Sequence, residues 1–405
     1  MYRLSLWQLI APLLFFKALS GAELNGIREN HEEQLLLLHL NHTGLMHKMA
    51  VAKTLRVYLK KALLRPYFFD NAFLKEDALF VGRPLDLSKC ELSPDLYPVK
   101  DWLRLHTEYY ASAYVYLRLK NDFTIVPSAR EADICFGGCD EANESAPTMT
   151  GDTPVFLVPQ GKENSMFSCT KMDFGVEFFG VDGVDYTCHV ATPYLSSIYS
   201  PNASAAAPWN LPLARNTLLG FYGGVQRETR RKGIVHEMMD YSALHQPENK
   251  VGHFTAYFSA PREAKTHRDG YNDDSFYAEA WNLYAHSYFS WQPHGVDTFT
   301  RRAFYDSWLF GCIPVVSSKS AWFYNLIFKG QLYTGSELAF DTIVVVLPWD
   351  LPEDGKSIVE YLSKIPLEEI RSRQSKLRSL APLMQWGWKT HKIDPFLLFL
   401  ATAMN

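Results

Sequence analysis

The chain has 405 residues, 47% hydrophobic and 21% charged, with a formal net charge of −4. That length predicts two domains, each able to bury a core, and the composition excludes an intrinsically disordered chain. The charge and the lack of a long basic run exclude bulk nucleic-acid binding, which needs a basic face that tracks phosphates.

The first residues are Arg3, an apolar run Leu4 to Phe16, Lys17, and the small-residue stretch Ala18-Leu19-Ser20-Gly21-Ala22. This is the order of a signal peptide. The uncharged run is shorter than the roughly 20 residues that span a bilayer. With Lys17 snorkelling, Leu4 to Ala22 crosses a thin membrane as a signal anchor. Residues 1–22 therefore read as a cleaved signal or a retained anchor, with no later segment long and apolar enough to span. Asn41-His42-Thr43, Asn143-Glu144-Ser145 and Asn202-Ala203-Ser204 are glycosylation sequons and agree with secretory entry. Cys90, Cys135, Cys139, Cys169, Cys188 and Cys312 are even in number, which allows disulfides without revealing their pairing.

Residues 23–64 read as a stem or lead-in helix, with Val51, Leu55, Tyr58 and Leu59 at helical spacing. Residues 65–205 form the first domain. Asp101 to Arg118 is expected as a helix; Phe123–Val126, the run after Asp133 and Val155–Pro159 are expected as strands. Pro193 to Pro212, rich in Pro, Ser, Ala and Asn, is the linker candidate. Residues 206–380 form the second domain. Its strands are expected at Thr217–Tyr222, Tyr288–Trp291, Ile313–Val316 and Thr342–Leu347. Its helices are expected at Glu228–Tyr241, Thr298–Phe310, Ser357–Ile365 and Leu367–Leu380. Residues 381–405 are a tail or helix. Strands alternating with helices predict an α/β chain with parallel sheets, and two such domains leave a cleft between them.

Two constellations carry chemistry. The first runs from Trp291-Gln292-Pro293-His294-Gly295 through Thr298, Thr300, Arg301, Arg302 and Asp306 to Gly311. It is strand, tight loop, helix and Gly stop. Thr298 or Thr300 can cap the helix, whose first-turn N–H groups favour a diphosphate. Arg301 or Arg302 adds a permanently charged fork. Asp306, one turn after Arg302, can accept from ribose hydroxyls, or simply pair with Arg302 on the surface. The second is Gly220-Phe221-Tyr222-Gly223-Gly224, followed by Arg227, Arg230 and Arg231. Ligands of open α/β sheets sit beyond the carboxyl ends of strands, so two such loops can close on one anion. The alternative is a Gly turn followed by solvated arginines.

The chain lacks any Asp-x-Asp. That argues against metal chelation by such a motif and for an anionic ligand held by arginines and a helix N-terminus. His236-Glu237-Met238-Met239-Asp240 lacks the second His of a zinc helix, and Cys135 with Cys139 lacks a second ligand pair, so no metal is expected. Cys312 reads as a packing residue.

The run from His286 to Val316, with Pro293, Gly295, Thr300-Arg301-Arg302, Asp306 and Gly311-Cys312-Ile313-Pro314-Val315, resembles the exostosin-family signature. It is especially similar to the plant xyloglucan galactosyltransferase-like branch. Phe221-Tyr222-Gly223-Gly224 with Arg227 and Arg231 resembles that family's Phe-Ala-Gly-Ala-x-Arg segment, and Ala132-Asp133-Ile134-Cys135-Phe136 its Ala-Asp-aromatic strand. The resemblance implies two Rossmann-like domains facing across a cleft (GT-B type), the first on the acceptor side and the second binding the donor. It implies inverting hexosyl or glycuronosyl transfer from a UDP-sugar to a glycan or glycoprotein, in the Golgi or ER lumen, anchored or secreted. No cofactor is required, and a homo- or hetero-oligomer is compatible with it. By position it implies donor contacts at Arg227, Arg231, Arg302 and Asp306; Gly223, Gly224, Gly295, Thr300 and Arg301 complete the expected donor site. The base on the acceptor hydroxyl is sought across the cleft at Asp140, Glu141 or His189. The competing functions are an inactive assembly partner of an active transferase and a secreted carbohydrate-binding protein, the latter favoured by the 14% aromatic content.

Overall fold

The protein is seen in a computed structural model. It describes residues 41, 43–59, 83–84, 103–104, 122–136, 138–139, 149–150, 153–154, 156–157, 171–175, 189–191, 198–199, 207–211, 213–223, 229–245, 254–260, 274–294, 301–326, 339–384, 395–402 and 404. The leader 1–22 and the sequons at Asn143 and Asn202 lie outside them. Asn41 is described and exposed.

The first half is a mixed sheet. Helix α1 (Leu45–Ala52) leads into β1 (Arg56–Leu59). Residues 56–59 were expected to continue the lead-in helix; they form a strand because Val57 and Tyr58 suit a pleated, two-faced surface. Asp133 fixes the start of β1, accepting from the Arg56 backbone N–H at 2.8 Å and from its Nη2 at 2.9 Å. Strand β1 lies between β4 (Thr124–Ile125) and β5 (Ile134–Phe136), parallel to both. Beyond β5 come β8 (Phe156–Leu157) and β9 (Lys171–Gly175), paired antiparallel, then β10 (His189–Ala191), parallel to β9. A separate antiparallel sheet holds β2 (Arg83–Pro84), β3 (Leu103–Arg104) and β11 (Ile198–Tyr199), and β6 (Met149–Thr150) pairs antiparallel with β7 (Thr153–Pro154). Leu103 and Arg104 are thus in a strand, although the spacing over Asp101 to Arg118 predicts a helix.

The second half is a five-stranded, wholly parallel sheet. Its strands are β12 (Thr217–Gly220), β13 (Ala256–Ser259), β14 (Ser287–Trp291), β15 (Ile313–Val316) and β16 (Val345–Val346). Their spatial order is β13-β12-β14-β15-β16. Every residue of β12 and β15 is buried, as the continuous apolar runs of a two-sided parallel sheet require. Helix α2 (Thr229–Leu244) links β12 to β13, α3 (Asp274–His286) links β13 to β14, and α4 (Arg302–Leu309) links β14 to β15. Right-handed crossovers put α2 on one face and α3 and α4 on the other. The direction of travel reverses between β12 and β14, which opens a crevice at their carboxyl ends.

Strand β16 is shorter than the expected Thr342–Leu347, because residues 340–343 form a helical turn. Pro314 gives the reason. Gln292 N–H donates to Val315 O at 2.8 Å and Leu347 N–H to Val316 O at 2.9 Å, so Pro314, two residues from Val316, faces the β16 side. It has no N–H to offer there, and β16 starts only opposite Val315.

After α5 (Ser318–Leu326) and the turn α6 (Phe340–Ile343) come α7 (Gly355–Ser363) and α8 (Leu367–Leu380), and the chain ends in α9 (Pro395–Thr402). Helix α9 returns to the first sheet and packs on α1. Lys48 Nζ donates to Met404 O at 2.8 Å, and the Phe123 and Phe396 rings meet edge-on at 6.0 Å. One apolar core consequently joins Met49, Val57 and Phe136 to Trp281, Trp308 and Leu398.

Candidate functional site: the crevice between β12 and β14

Strand β12 ends in Phe221-Tyr222-Gly223 and β14 in Gln292-Pro293-His294. Arginines from two helix starts close the space between these loops. Arg231, in the first turns of α2 and 5% exposed, donates from Nη2 to the His294 carbonyl at 2.6 Å. Arg301 immediately precedes α4, in an extended conformation. Its Nη2 donates to the Tyr222 carbonyl at 3.1 Å, its Nη1 to Gln292 Oε1 at 3.4 Å, and its guanidinium lies 5.2 Å from the Phe221 ring centroid. The two constellations seen in the sequence meet here.

Gly223 makes room for Arg301: a Cβ there would collide with the Arg301 guanidinium. Gln292, 1% exposed, is held by its own donor side, Nε2 giving to Ser290 Oγ at 2.5 Å and to Ala303 O at 3.3 Å. Its amide oxygen is thereby aimed at Arg301. Tyr222 donates its hydroxyl to Glu279 Oε2 at 3.1 Å, tying the β12 loop to α3. Phe221 packs on Trp291, ring centroids 5.3 Å apart.

Arg301 is half-buried among neutral partners. Burial holds its pKa below the usual arginine value. Burial also pushes the Tyr284 and Tyr324 phenols up, so at neutral pH neither carries a charge to offset Arg301. Arg302 adds a like charge. Among the described residues no carboxylate bonds to Arg301. A carbonyl, an amide oxygen and a ring face solvate the cation without neutralising it, and a partly desolvated cation in that state favours an anion beside it.

Arg302 points elsewhere. Its Nε lies 3.5 Å from Asp306 Oδ2 and its guanidinium 5.3 Å from the Tyr277 ring centroid. Asp306 is 6% exposed and Arg302 half-buried, so this is a partly buried helical pair rather than a surface one. Helix α4 starts at Arg302 with Arg301 at its N-cap and no side-chain cap; Thr298 and Thr300, the expected caps, lie outside the described residues. Gly224, Arg227, Gly295, Thr300, Asp140 and Glu141 lie outside the described residues. The backbone of His189 opens β10, in register with Asp173. Cys139, next to Asp140, forms a disulfide with Cys135.

Sequence reasoning assigned no role to Gln292, Tyr222, Glu279 or Trp349. Gln292 and Tyr222 sat inside the quoted motifs but lacked a partner. Trp349 lies in the loop 347–354, which leaves β16 and crosses to α2. It is 87% exposed. The far end of that loop is moored: Glu353 pairs with Arg230, Asp354 accepts from Ser357 N–H at 2.8 Å, and Gly355 N–H donates to Glu237 Oε2 at 2.8 Å. Helix α7 packs on α2, near β12 and β13. The loop therefore runs along the carboxyl edge past β15 and β14.

The chain matches no model of a known protein family and no curated protein.

Proposed function

We propose that the protein is an inverting glycosyltransferase that moves a sugar from a UDP-sugar to a glycan or glycoprotein acceptor, with two Rossmann-like domains facing across a cleft in the GT-B manner. The observation that carries this reading is Arg301: a half-buried guanidinium at the mouth of a switch-point crevice, with no carboxylate bonded to it among the described residues and with Arg231 closing the same space. That is the electrostatics a departing diphosphate needs. The acceptor hydroxyl loses its proton to a carboxylate or imidazole across the cleft, the candidates being Asp140, Glu141 and His189. Its oxygen attacks the anomeric carbon from the face opposite the leaving group. The bond to the phosphate oxygen breaks, UDP takes the electron pair, and Arg301 meets the charge that develops. Gly223 and Gln292 hold Arg301 in position, and Asp306 orients Arg302.

A Golgi or ER lumenal site is part of the proposal. The Cys135–Cys139 disulfide suits an oxidising compartment, and the exposed Asn41 is open to a glycan. The test is calorimetric titration of UDP into the full chain and into Arg301→Gln, with released UDP measured against a panel of UDP-sugars. Nucleotide binding by the parent chain and its loss of tenfold or more in the variant is expected. No binding by a folded parent chain, or equal binding by both, overturns the proposal.

A further inference from the structure

A tyrosine outside both motifs reaches the start of α4 from the next helix. Helix α5 begins at the carboxyl end of β15, where Ser317 Oγ accepts from the Ser320 N–H at 3.2 Å and fixes the first turn. Tyr324, in the second turn, is fully buried. Its ring stacks on Phe304 of α4, with centroids 4.0 Å and planes 16° apart, and meets the Tyr305 ring at 6.4 Å. Phe340 backs Phe304 at 6.5 Å. Rings wedged in this way fix where the phenol hydroxyl points.

The Tyr324 hydroxyl faces the backbone N–H of Arg301, the N-cap of α4, and lies within electrostatic range of the Arg301 and Arg231 guanidinium groups. Its approach to that N–H falls short of a full hydrogen bond, and among the described residues it has no other partner. A phenol oxygen turned towards an N–H leaves its own proton unspent. Burial pushes the phenol up, so at neutral pH the oxygen keeps that proton. A buried O–H without an acceptor is destabilising, and phenylalanine would fill the same space without that cost. The charges that act on it among the described residues are both cations. The acceptor that suits a spare O–H beside two cations and a helix N-terminus is an anionic oxygen.

We propose that Tyr324 is a binding residue of the crevice, its Oη donating to a nonbridging oxygen of a diphosphate held at the start of α4. The proton stays on the phenol; the group supplies a neutral, rigid donor where the arginines supply charge. The inference deepens the glycosyl-transfer reading and rests on it for the crevice as a diphosphate site, but not for the nucleoside attached.

The test is calorimetric titration of inorganic pyrophosphate and of UDP into the full chain and into Tyr324→Phe, beside urea unfolding of both. Phenylalanine keeps the ring on Phe304 and removes only the hydroxyl. The parent chain is expected to bind both probes. In the variant Kd should rise about tenfold for each, as the loss of one hydrogen bond to a charged group requires, with an equal or higher urea midpoint. Pyrophosphate bound by the parent and lost by the variant upholds the role of Tyr324 even where UDP does not bind, a result that overturns the glycosyl-transfer reading alone. Equal binding by parent and variant overturns the role of Tyr324 and leaves that reading intact. A loss of affinity that comes with a lower urea midpoint assigns the hydroxyl to packing and also overturns it, as does a folded parent chain that binds neither probe.

Discussion

Arg231 donates to the carbonyl of His294 at 2.6 Å and so joins the helix after β12 to the loop after β14. The bond bridges the point where the strand order reverses, and a charged donor in a buried place makes it strong. Arg231→Met removes the donor and keeps most of the bulk. The expected cost is about 1.5–3 kcal/mol, the range for hydrogen bonds to charged groups. The urea midpoint should fall accordingly, and UDP affinity with it. An unchanged midpoint would show that the two loops hold together without this bond.

Gly223→Ala tests the seat of Arg301. The added Cβ collides with the guanidinium, which must swing out of the crevice. Nucleotide affinity should drop by about tenfold, equivalent to about 1.4 kcal/mol. The far-ultraviolet spectrum should be unaltered, since the residue follows the strand rather than lying within it.

Trp349→Ala addresses the acceptor. An 87% exposed indole on a loop along the carboxyl edge offers a flat apolar face for a sugar ring. Acceptor KM should rise severalfold while donor KM and the melting temperature stay constant. A rise in donor KM instead would reassign the loop to the nucleotide side.

Gly355→Ala probes the mooring of α7. A Cβ there would lie 2.6 Å from both Ile234 O and Met238 N, which are backbone atoms of α2. Backbone cannot yield as a side-chain tip can, so α7 must move away. Overpacking of this kind costs about 1–3 kcal/mol. Asp354→Ala, which removes only the N-cap, should cost about 1 kcal/mol. Denaturant unfolding of the two variants should rank them in that order.

Cys312 is fully buried beside β15, and burial pushes its thiol up to about 12 from 9.0. Between these values the unfolded chain binds fewer protons at this site than the folded one, so stability must fall as pH rises through that window. Below it the site contributes no pH dependence. At pH 8 alkylation of Cys312, followed by peptide mass, should proceed only as fast as the chain opens. Rapid labelling of the folded protein would contradict its burial.

The amino-acid sequence by itself determined what depends on neighbours in the chain. Apolar runs such as Thr217–Tyr222 and Ile313–Val316 specified strands, which form at Thr217–Gly220 and Ile313–Val316. The spacing in Leu367–Leu380 specified a helix with those same ends. Glycines and arginines after two strands marked the loops of the crevice. Local pattern failed where distant partners decided. Val51, Leu55, Tyr58 and Leu59 fit a helical stripe, yet residues 56–59 gain more by pairing with β4 and β5, strands whose positions no local window contains.

Only the tertiary structure decided which arginine faces the crevice. Arg301 and Arg302 are adjacent and chemically identical. The first is held extended before the helix and turns to Tyr222 and Gln292; the second is the first helical residue and turns to Asp306 and Tyr277. Composition and spacing treat them alike. The difference arises from a backbone dihedral at the helix boundary and from a glycine 78 positions earlier that leaves one guanidinium room to enter.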